Sequence, residues 1–307
     1  MKLSIVIPVY NSARILPLLV EKISTNLGRA IHPYEIIFVD DMSIDESWQV
    51  IKKLGLGNTA VKGINLRKNT GQHNAIMAGL NHAVGDVIVV MDDDLQHPPE
   101  EITLLYDKIC QGYDVCYGVF EDRHQAWWKK LGSAFNDLVA QLLLKKPKDL
   151  YLSPFKAFSS EIRAEVVLYT GPYAYLDGLI LMNTSRITTV KVSHHKRHEG
   201  LSNYTFCQSL SLWGKMATSF SVLPLRIVSL LGILFSAIGF GISIFVIAIK
   251  MSNDEAVPLG WTSLMAVVLI IGGVELIGLG LIGEYLGRAY VRLNNIPQYS
   301  VKERVNL

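Results

Sequence analysis

This sequence lacks a cysteine framework, a strong net charge and a signal peptide, features that would each assign a protein to a class. Its three cysteines, Cys110, Cys116 and Cys207, have neither metal-ligand spacing nor the even number that disulfides need, so we expect reduced, structural thiols. The net charge is only +2, and we therefore expect no nucleic-acid partner. The N-terminal apolar run is too short for a signal peptide and is expected to form a first strand.

Charged residues are also missing from two long apolar runs in the C-terminal third of the sequence. Residues 227–249 contain none, and residues 261–282 contain only Glu275. Each run is long enough to cross the roughly 30 Å hydrocarbon core of a bilayer as a helix. Because the link between the runs is short, the two helices are expected to form a hairpin. A buried hairpin in a soluble protein is the alternative.

The charges around these runs predict an orientation in a membrane. Lysine and arginine lie beyond the outer ends of the pair, whereas the link carries two acidic residues and one lysine. Since cytosolic segments carry the excess of basic residues, we expect a multi-pass protein of the plasma membrane with both termini in the cytosol. Small residues in the spans would allow a homo-oligomer. Residues 209–224 show amphipathic spacing and are expected to lie along the membrane surface; packing on the first domain is the alternative.

Short apolar runs and helical patterns alternate through the first 120 residues. The runs rich in β-branched residues are Leu3–Val9, Ile36–Asp40, Val61–Leu66 and Val87–Met91. Helical patterns lie near Ala13–Leu27, Asp45–Leu54 and Gln72–Ala83. This alternation predicts an α/β fold with a mostly parallel sheet covered by helices on both faces. We expect a cytosolic domain over 1–208, the surface helix over 209–224, the hairpin over 225–292 and a cytosolic tail over 293–307.

Polar residues follow each predicted strand, and the fourth strand ends in three carboxylates, Asp92, Asp93 and Asp94. The carboxyl ends of parallel strands share one edge, where open α/β sheets bind ligands. Adjacent carboxylates repel one another unless a cation lies among them, and oxygen ligands suit Mg²⁺ or Mn²⁺. None of these strands is followed by a glycine-rich phosphate loop, so a metal ion is the expected means of holding phosphates. A solvated acidic turn that caps the next helix is the alternative.

Four motifs, in this order, resemble those of a known family. They are IVIPVYN (5–11), VDDMSID (39–45), RKNTGQHNA (67–75) and DDDLQHPPE (92–100). Together they look like the family 2 glycosyltransferases of the Rossmann-like GT-A fold. More narrowly, they resemble the polyprenyl-phosphate glycosyltransferases related to dolichol-phosphate mannose synthase. The resemblance runs over nearly the whole chain, the paired apolar runs included.

The resemblance implies roles for residues in all four motifs. Asp40 would accept a hydrogen bond from the nucleotide base, and Asp92 and Asp94 match the outer acids of the family's D-x-D motif. Asp94, with Asp92 and Gln96, would ligate Mg²⁺ or Mn²⁺ on the diphosphate. The expected donor-binding residues are Pro8, Tyr10, Asn11, Asp40, Asp41, Asn69, Gln72, Asp92 and Asp93.

Other polar residues have a structural alternative or a structural role. Asp45 lies at the start of a predicted helix, so capping that helix is an alternative to contacting the donor. His73 is either a donor contact or part of the pocket wall. Glu284 and Arg288, beyond the second apolar run, are four residues apart and are expected to pair along a helix.

The match to the family is less complete at the position of its catalytic base. Many relatives have an acid that orients or deprotonates the acceptor where this chain has Leu150, with Asp149 one residue earlier. The candidate catalytic residues are therefore Asp94, Arg197 and Asp149. An acceptor phosphate has a second pKa near 6 and is largely dianionic at neutral pH, so it needs cations more than a base.

Those cations are expected in the segment 194–204, which resembles the family's R-x-x-G-x-S-K-Y loop. In the family, the arginine and lysine of this loop hold acceptor and donor phosphates. Arg197, Ser202 and Tyr204 match the loop and are the expected acceptor phosphate-binding residues. Asn203 replaces the lysine, which leaves Arg197 as the matching cation.

Together these features predict a membrane-bound, inverting, metal-dependent glycosyltransferase of cell-surface polysaccharide synthesis. Its donor would be a nucleotide-diphosphate sugar, and its acceptor a polyprenyl (undecaprenyl or dolichyl) phosphate on the cytosolic face. One alternative is a glycosyltransferase with a different acceptor, such as a processive polysaccharide synthase, although the chain lacks a Q-x-x-R-W motif. A catalytically silent membrane scaffold is the other, and the intact acids Asp40, Asp92 and Asp94 count against it.

Overall fold

The structure of the chain, a computed structural model, divides into two compact units. Unit 1 comprises Met1–Gln208 and Asn294–Leu307, and unit 2 comprises Ser209–Leu293. The chain therefore leaves unit 1 once and returns to it. The residues that the structure describes are 1–28, 31, 33–120, 147, 150–171, 174–193, 225, 228–235, 237–238, 240–241, 261–294 and 296–307.

An eight-stranded sheet forms the centre of unit 1. Its strands, in chain order, are β1 (Leu3–Val9), β2 (Tyr34–Asp40), β3 (Val61–Leu66), β4 (Val87–Val90), β5 (Val115–Phe120), β6 (Lys156–Ser159), β7 (Ile187–Val192) and β8 (Val301–Val305). They lie side by side in the order β7-β5-β6-β4-β1-β2-β3-β8. Only β6 and β8 run against the other strands. The predicted α/β fold is confirmed, in the form of a mixed sheet.

Helices connect the strands and cover the sheet. They are α1 (Leu16–Leu27), α2 (Ser47–Gly57), α3 (Gln72–His82), α4 (Ile102–Cys110), α5 (Ser160–Val167) and α6 (Leu176–Asn183), with a 3₁₀ turn at Pro99–Glu101. The first three confirm the helical patterns of the sequence. α1 begins three residues later than the pattern, and Pro17 lies in its first turn, where a missing N–H leaves no bond unmade.

The two faces of the sheet are packed in different ways. On one face α3 lies so close that a Cβ built on Gly79 would be 2.4 Å from a methyl carbon of Val6. A side chain at this position would push the helix away from the strands. On the other face, apolar residues of the strands join those of α1 and α4 in one buried cluster, which includes Ile5, Ile23 and Leu105. This packing holds the strand ends in fixed positions.

The last strand of the sheet comes from the C-terminal segment of the chain. β8 pairs antiparallel with β3. The indole nitrogen of Trp48 donates to a Glu303 carboxylate oxygen at 2.7 Å. Asn306 Nδ2 donates to two backbone carbonyl oxygens of unit 1, at 2.8 and 2.9 Å. The segment 293–307, which the sequence presents as a tail, thus contributes an edge strand.

A long helix is the main described element of unit 2. This helix, α7 (Trp261–Leu293), covers the second predicted span and continues beyond it. Arg288 Nε donates to Glu284 Oε1 at 3.0 Å, which confirms the predicted pairing. Apolar side chains along α7 are exposed; they include Leu264, Val268, Ile271, Leu276, Leu279 and Ile282.

The membrane segments stay predictions. Among the helices that can be described, none is both long and apolar enough to cross a bilayer. The surface helix expected over 209–224 lies outside the described residues, and so do residues 227, 236, 239 and 242–249 of the span expected over 227–249.

Candidate active site

Three turns at the carboxyl edge of the sheet have an unusual backbone conformation. Asn11 follows β1, Met42 follows β2 and Leu95 lies in the turn after β4, with φ angles of 57°, 59° and 58°. This left-handed conformation is uncommon in residues other than glycine and is concentrated at functional sites. The carboxyl edge is also where open α/β sheets bind ligands. The three turns therefore mark the candidate site.

A cavity of about 200 Å³ lies among these turns and is lined by residues 11–15, Asp45 and Asp94. Asn11 joins two of the turns, because its Oδ1 accepts the Ile44 N–H at 2.8 Å and its own N–H donates to Ser43 Oγ at 2.9 Å. Residues 12–15 line the cavity, although no role was predicted for them from the sequence. Their one signal in the sequence is that they directly follow the Asn11 motif.

Pro8, Tyr10 and Asp40 lie at the ends of the neighbouring strands β1 and β2, where Pro8 is opposite Val39. Asp40 is only 1% exposed, and its Oδ1 accepts the Ser43 N–H at 3.3 Å. Burial raises the pKa of its carboxyl, and the hydrogen bonds from Ser43 oppose that change. Tyr10 is 49% exposed. The expected nucleotide-binding residues are thus brought together at one place.

Asp45 lines the cavity and also has the structural role at the start of α2 that the sequence predicts. Its Oδ1 accepts the Ser47 N–H at 3.0 Å, at the first residue of α2, and its Oδ2 accepts the Ala13 N–H at 3.0 Å. The carboxylate therefore caps α2 and also ties the β1 turn to it.

Asp41, expected among the donor contacts, holds the loop that follows β3. Its two carboxylate oxygens accept the backbone N–H groups of Thr70 and Gly71 at 2.7 and 2.8 Å. Asn69, another expected donor contact, donates from Nδ2 to the Asp41 carbonyl oxygen at 3.2 Å. Both residues are therefore engaged within the protein, at the edge of the site.

Asp92 and Asp94 are held in different ways. Gln72 Nε2 donates to Asp92 Oδ1 at 2.7 Å, so two expected donor-site residues contact each other. Asp94 Oδ1 accepts the Gln96 N–H at 3.1 Å within a tight turn, and the residue lines the cavity. Asp94 is therefore the carboxylate of the triplet that faces the cavity.

The surroundings of Asp93 indicate whether a cation would fit beside the acidic triplet. Its Oδ2 is buried without a hydrogen-bond partner. Burial raises the pKa of its carboxyl to about 6 and the Asp94 charge adds to this, while hydrogen bonds with Ser12 and the Tyr10 backbone oppose it. A carboxylate oxygen that lacks a partner, beside two further acids, fits a divalent cation.

The arrangement also suits a cation that is bound together with a substrate. Within the described ranges, no three histidine, cysteine or carboxylate side chains come together as a metal cage. Mg²⁺ typically takes only one or two protein carboxylates and fills its other positions with waters and substrate phosphates. The acidic triplet supplies carboxylates of that kind.

His97, which has no role in the sequence argument, holds the triplet from the other side. Its ring is stacked between Phe120 and Phe155, with centroid distances of 5.7 and 5.3 Å and an interplanar angle of 10° to each. Its Nδ1 accepts the Asp92 N–H at 3.3 Å. The packed ring therefore fixes the backbone at the start of the triplet.

A buried polar network lies close to the triplet and includes a lysine of the neighbouring strand β6. Lys156, 3% exposed, is opposite Val90 in the β4–β6 pairing. Its ammonium group forms a salt bridge with Asp177, and the Tyr117 hydroxyl donates to the same carboxylate oxygen at 2.9 Å. This network could not be predicted from the sequence, because its members are far apart along the chain.

His73 packs against Tyr175 and Leu176, which directly precede Asp177 of this network. Its ring meets Tyr175 edge-on, with centroids 5.1 Å apart, and the Leu176 N–H lies 3.5 Å from its Nδ1. These contacts favour the pocket-wall alternative for His73.

His73 should make the free energy of unfolding depend on pH. Burial lowers the pKa of its imidazole from 6.5 to about 4, although the Asp177 charge opposes this. Between these values the unfolded chain binds a proton that the folded chain does not. Stability should therefore be fully present above about pH 6.5 and fall by up to about 1.4 kcal/mol per pH unit toward pH 4. Urea unfolding of His73→Gln at several pH values should give a flatter profile than the wild type; equal slopes would contradict the assignment.

The expected acceptor residues cannot be placed. Asp149, Arg197, Ser202 and Tyr204 lie outside the described residues. Leu150, at the position of the family's acid, is buried, and its N–H donates to the Pro147 carbonyl oxygen at 3.2 Å. It therefore behaves as a core residue.

Comparisons with known proteins agree with this geometry. The family model described as "Glycosyl transferase family 2" matches residues 4–164, which include β1 to β6 and the acidic triplet. Among solved structures, glucosyl-3-phosphoglycerate synthase from Mycobacterium tuberculosis in complex with UDP is similar, with a TM-score of 0.53 and 16% identity over 70% of this chain and 78% of that one. Its complex with Mn²⁺, UDP-glucose and phosphoglyceric acid gives a TM-score of 0.52 and 15% identity over the same shares. At these identities the likeness shows a shared fold.

Proposed function

Since this chain belongs to glycosyl transferase family 2, we propose that it moves a sugar from a nucleotide-diphosphate sugar to a polyprenyl phosphate. The acceptor phosphate oxygen would attack the anomeric carbon from the face opposite the donor diphosphate. A new carbon–oxygen bond forms as the bond to the diphosphate breaks, so the configuration inverts and the nucleoside diphosphate leaves.

One observation carries the proposal: Asp94 lines a cavity at the carboxyl edge of the sheet, together with the Asn11 turn and beside the end of β2. A nucleotide bound against Pro8, Tyr10 and Asp40 would direct its diphosphate toward the acidic triplet. This is the order of groups that the chemistry requires, with base recognition at one end and charge neutralisation at the other.

The metal part of the proposal rests on the acids and on their fit to a cation. Asp94, with Asp92 and Gln96, would hold Mg²⁺ or Mn²⁺, which supplies positive charge to the departing diphosphate when bound. The partnerless oxygen of Asp93 supports a cation there. The solved neighbour binds Mn²⁺ together with UDP-glucose, which supports the same pairing of metal and nucleotide sugar in this chain.

The acceptor part rests on chemistry and on the sequence. A phosphate acceptor does not need a general base at neutral pH, because it is already largely dianionic. That agrees with a core leucine at the position of the family's acid. The solved structure of glucosyl-3-phosphoglycerate synthase contains phosphoglyceric acid, a small molecule that also carries a phosphate. A soluble phosphate ester is therefore the alternative acceptor to compare.

The membrane part rests on the two apolar runs and on α7. Only Glu275 is charged within residues 261–282, and apolar side chains along α7 are exposed. A hairpin in the plasma membrane, with unit 1 in the cytosol, would keep the site near the headgroup of a lipid phosphate. Removal of the residues between Gln208 and Asn294 should then abolish transfer to a lipid acceptor.

The direct test is a screen of nucleotide sugars against two acceptors, a polyprenyl phosphate in detergent and phosphoglyceric acid in solution. The purified full-length chain is incubated with each pair and Mn²⁺, and the products are identified by mass. We expect a glycosylated lipid phosphate and a released nucleoside diphosphate. Transfer to phosphoglyceric acid alone would replace the acceptor, and no transfer with any donor would overturn the catalytic assignment.

Arg197→Lys should lower kcat/KM for the lipid acceptor by about 10- to 100-fold. Guanidinium can bind two phosphate oxygens in parallel, which an ammonium group cannot do, and a hydrogen bond to a charged group contributes about 1.5–3 kcal/mol. Asn203→Lys, which restores the family's lysine, is the paired variant and should keep or improve acceptor KM. Steady-state kinetics at fixed donor and metal decide; an Arg197→Lys enzyme with unchanged acceptor kinetics would place the phosphate elsewhere.

A further inference from the structure

We infer that Asp41 is a positioning residue for the metal site, acting through Gln72, and is not a contact of the donor nucleotide. The inference rests on the proposed function, because it concerns the cation that the acidic triplet would hold. It links two strand ends that have different expected roles. The end of β2 would bind the nucleotide base, and the end of β4 would bind the metal.

The carboxylate of Asp41 accepts three hydrogen bonds from the loop between β3 and α3. Oδ1 accepts the Thr70 N–H at 2.7 Å and the Thr70 hydroxyl at 3.1 Å, and Oδ2 accepts the Gly71 N–H at 2.8 Å. The backbone N–H of Asp41 donates to the Val9 carbonyl oxygen at 2.9 Å. Asp41 is buried, so its side chain is directed into the protein and holds the loop there.

The negative charge of Asp41 lies beside the start of α3, which has no side-chain cap of its own. Gly71, the residue before the helix, has a φ of +86° and no side chain to accept a hydrogen bond. The first N–H groups of a helix lack partners within the helix, and a negative charge near them is favourable. Asp41, which directly follows β2, supplies that charge and holds the two residues that precede α3.

The first residue of α3 is Gln72, and its side chain holds an acid of the triplet. Gln72 Nε2 lies 2.7 Å from Asp92 Oδ1. Two hydrogen bonds, joined through the peptide link between Gly71 and Gln72, therefore connect Asp41 to Asp92. On the other side of Asp92, its backbone is held by His97.

This path predicts an effect on metal binding. Groups that orient metal ligands typically change metal affinity by 10- to 100-fold when they are replaced. Asp41→Asn keeps the size of the side chain but places an NH₂ group against a backbone N–H, so one anchor of the loop is lost. Gln72 would then no longer be held at the distance that Asp92 requires.

The experiment measures binding, without turnover, by isothermal titration calorimetry and by the electron paramagnetic resonance of Mn²⁺. The full-length protein is first saturated with UDP and then titrated with Mn²⁺. We expect Asp41→Asn to raise the Kd for Mn²⁺ about 10-fold or more, with the Kd for UDP in the absence of metal unchanged. The matched control is Asp114→Asn, which removes a half-buried carboxylate that accepts the Thr184 hydroxyl at 2.5 Å and should leave both constants unchanged.

A second variant separates a positioning role from general destabilisation. Gln72 is exposed, so Gln72→Ala should fold, and it should raise the Kd for Mn²⁺ by a similar factor. If Asp41 acts through Gln72, the double variant should be no worse than the worse single variant, because residues in one path are not additive. Multiplied effects in the double variant, wild-type Mn²⁺ affinity in Gln72→Ala, or loss of UDP binding in Asp41→Asn would each overturn the inference. Absence of Mn²⁺ binding by the wild type with UDP would instead overturn the proposed function.

Discussion

Asp94→Asn should lower kcat by about 10²–10³ while the protein stays folded. Asp94 faces the cavity at the end of β4 and is the expected ligand of the cation on the departing diphosphate. Loss of one group that stabilises developing charge typically has an effect of this size. Steady-state transfer at saturating Mn²⁺, with the melting temperature recorded in parallel, measures both parts of the prediction.

Glu100→Gln is the matched control for this variant. It removes the same charge from the same acidic segment, at an exposed position after the triplet, and should keep near-normal turnover. If the folded Asp94→Asn enzyme turned over at the wild-type rate, the metal assignment would be wrong. If both variants were equally slow, the general negative charge of the segment would matter more than a ligand at Asp94.

Lys156→Met should destabilise unit 1 by about 3–5 kcal/mol. The ammonium group of Lys156 is buried against Asp177, and its removal leaves a carboxylate uncompensated in the core, where the Tyr117 hydroxyl still donates to it. A loss of this size is a large part of the stability of a typical domain. Urea unfolding followed by tryptophan fluorescence measures it.

A double variant tests whether the loss comes from the unpaired charge. Lys156→Met combined with Asp177→Asn removes both charges and keeps an amide oxygen for the Tyr117 hydroxyl, so it should recover most of the stability. The surface pair of Lys52 and Glu303, 3.3 Å apart, is the control, and Lys52→Met should change stability by less than about 1 kcal/mol. A double variant as unstable as Lys156→Met would mean that packing, not charge, holds the network.

The sequence predicts the first half of unit 1 well because local patterns determine it. The runs at Leu3–Val9 and Val61–Leu66 are β-branched and buried, and the structure places strands at those residues. The acidic triplet could also be located, since it directly follows such a run. The sequence changes there from buried apolar residues to acidic ones, and this change marks the end of the strand.

Two strands, β6 and β8, could not be predicted because their environment is not local. β6 has four residues and includes a lysine, which reads as a surface position until its partner Asp177 is known. β8 has the sequence VKERV with three exposed charged residues, typical of a tail. Its pairing with β3 depends on a strand far away in sequence, and only the structure reveals it.

The candidate site, too, could be predicted from the sequence only in part. The motifs identify residues such as Asp40 and Asp94, but not what each one contacts. Asp41 and Gln72 were expected to bind the donor, and the structure adds that Asp41 accepts the Gly71 N–H and that Gln72 donates to Asp92. His97 carries no chemical signal in the sequence, and its role follows from the two phenylalanine rings around it.

The β8 strand has a consequence for the order in which the protein is made. Glu303 contacts Trp48 across 255 residues of sequence, so a ribosome must synthesise all of unit 2 before the edge of β3 can be covered. Until then β3 presents unpaired backbone groups, which are a template for aggregation. Chains released at Leu293 should therefore accumulate as insoluble protein or bind chaperones more than the full chain. Expression of that truncation, compared with the full chain in a pulse-labelled solubility assay, would show whether the last strand protects the newly made enzyme.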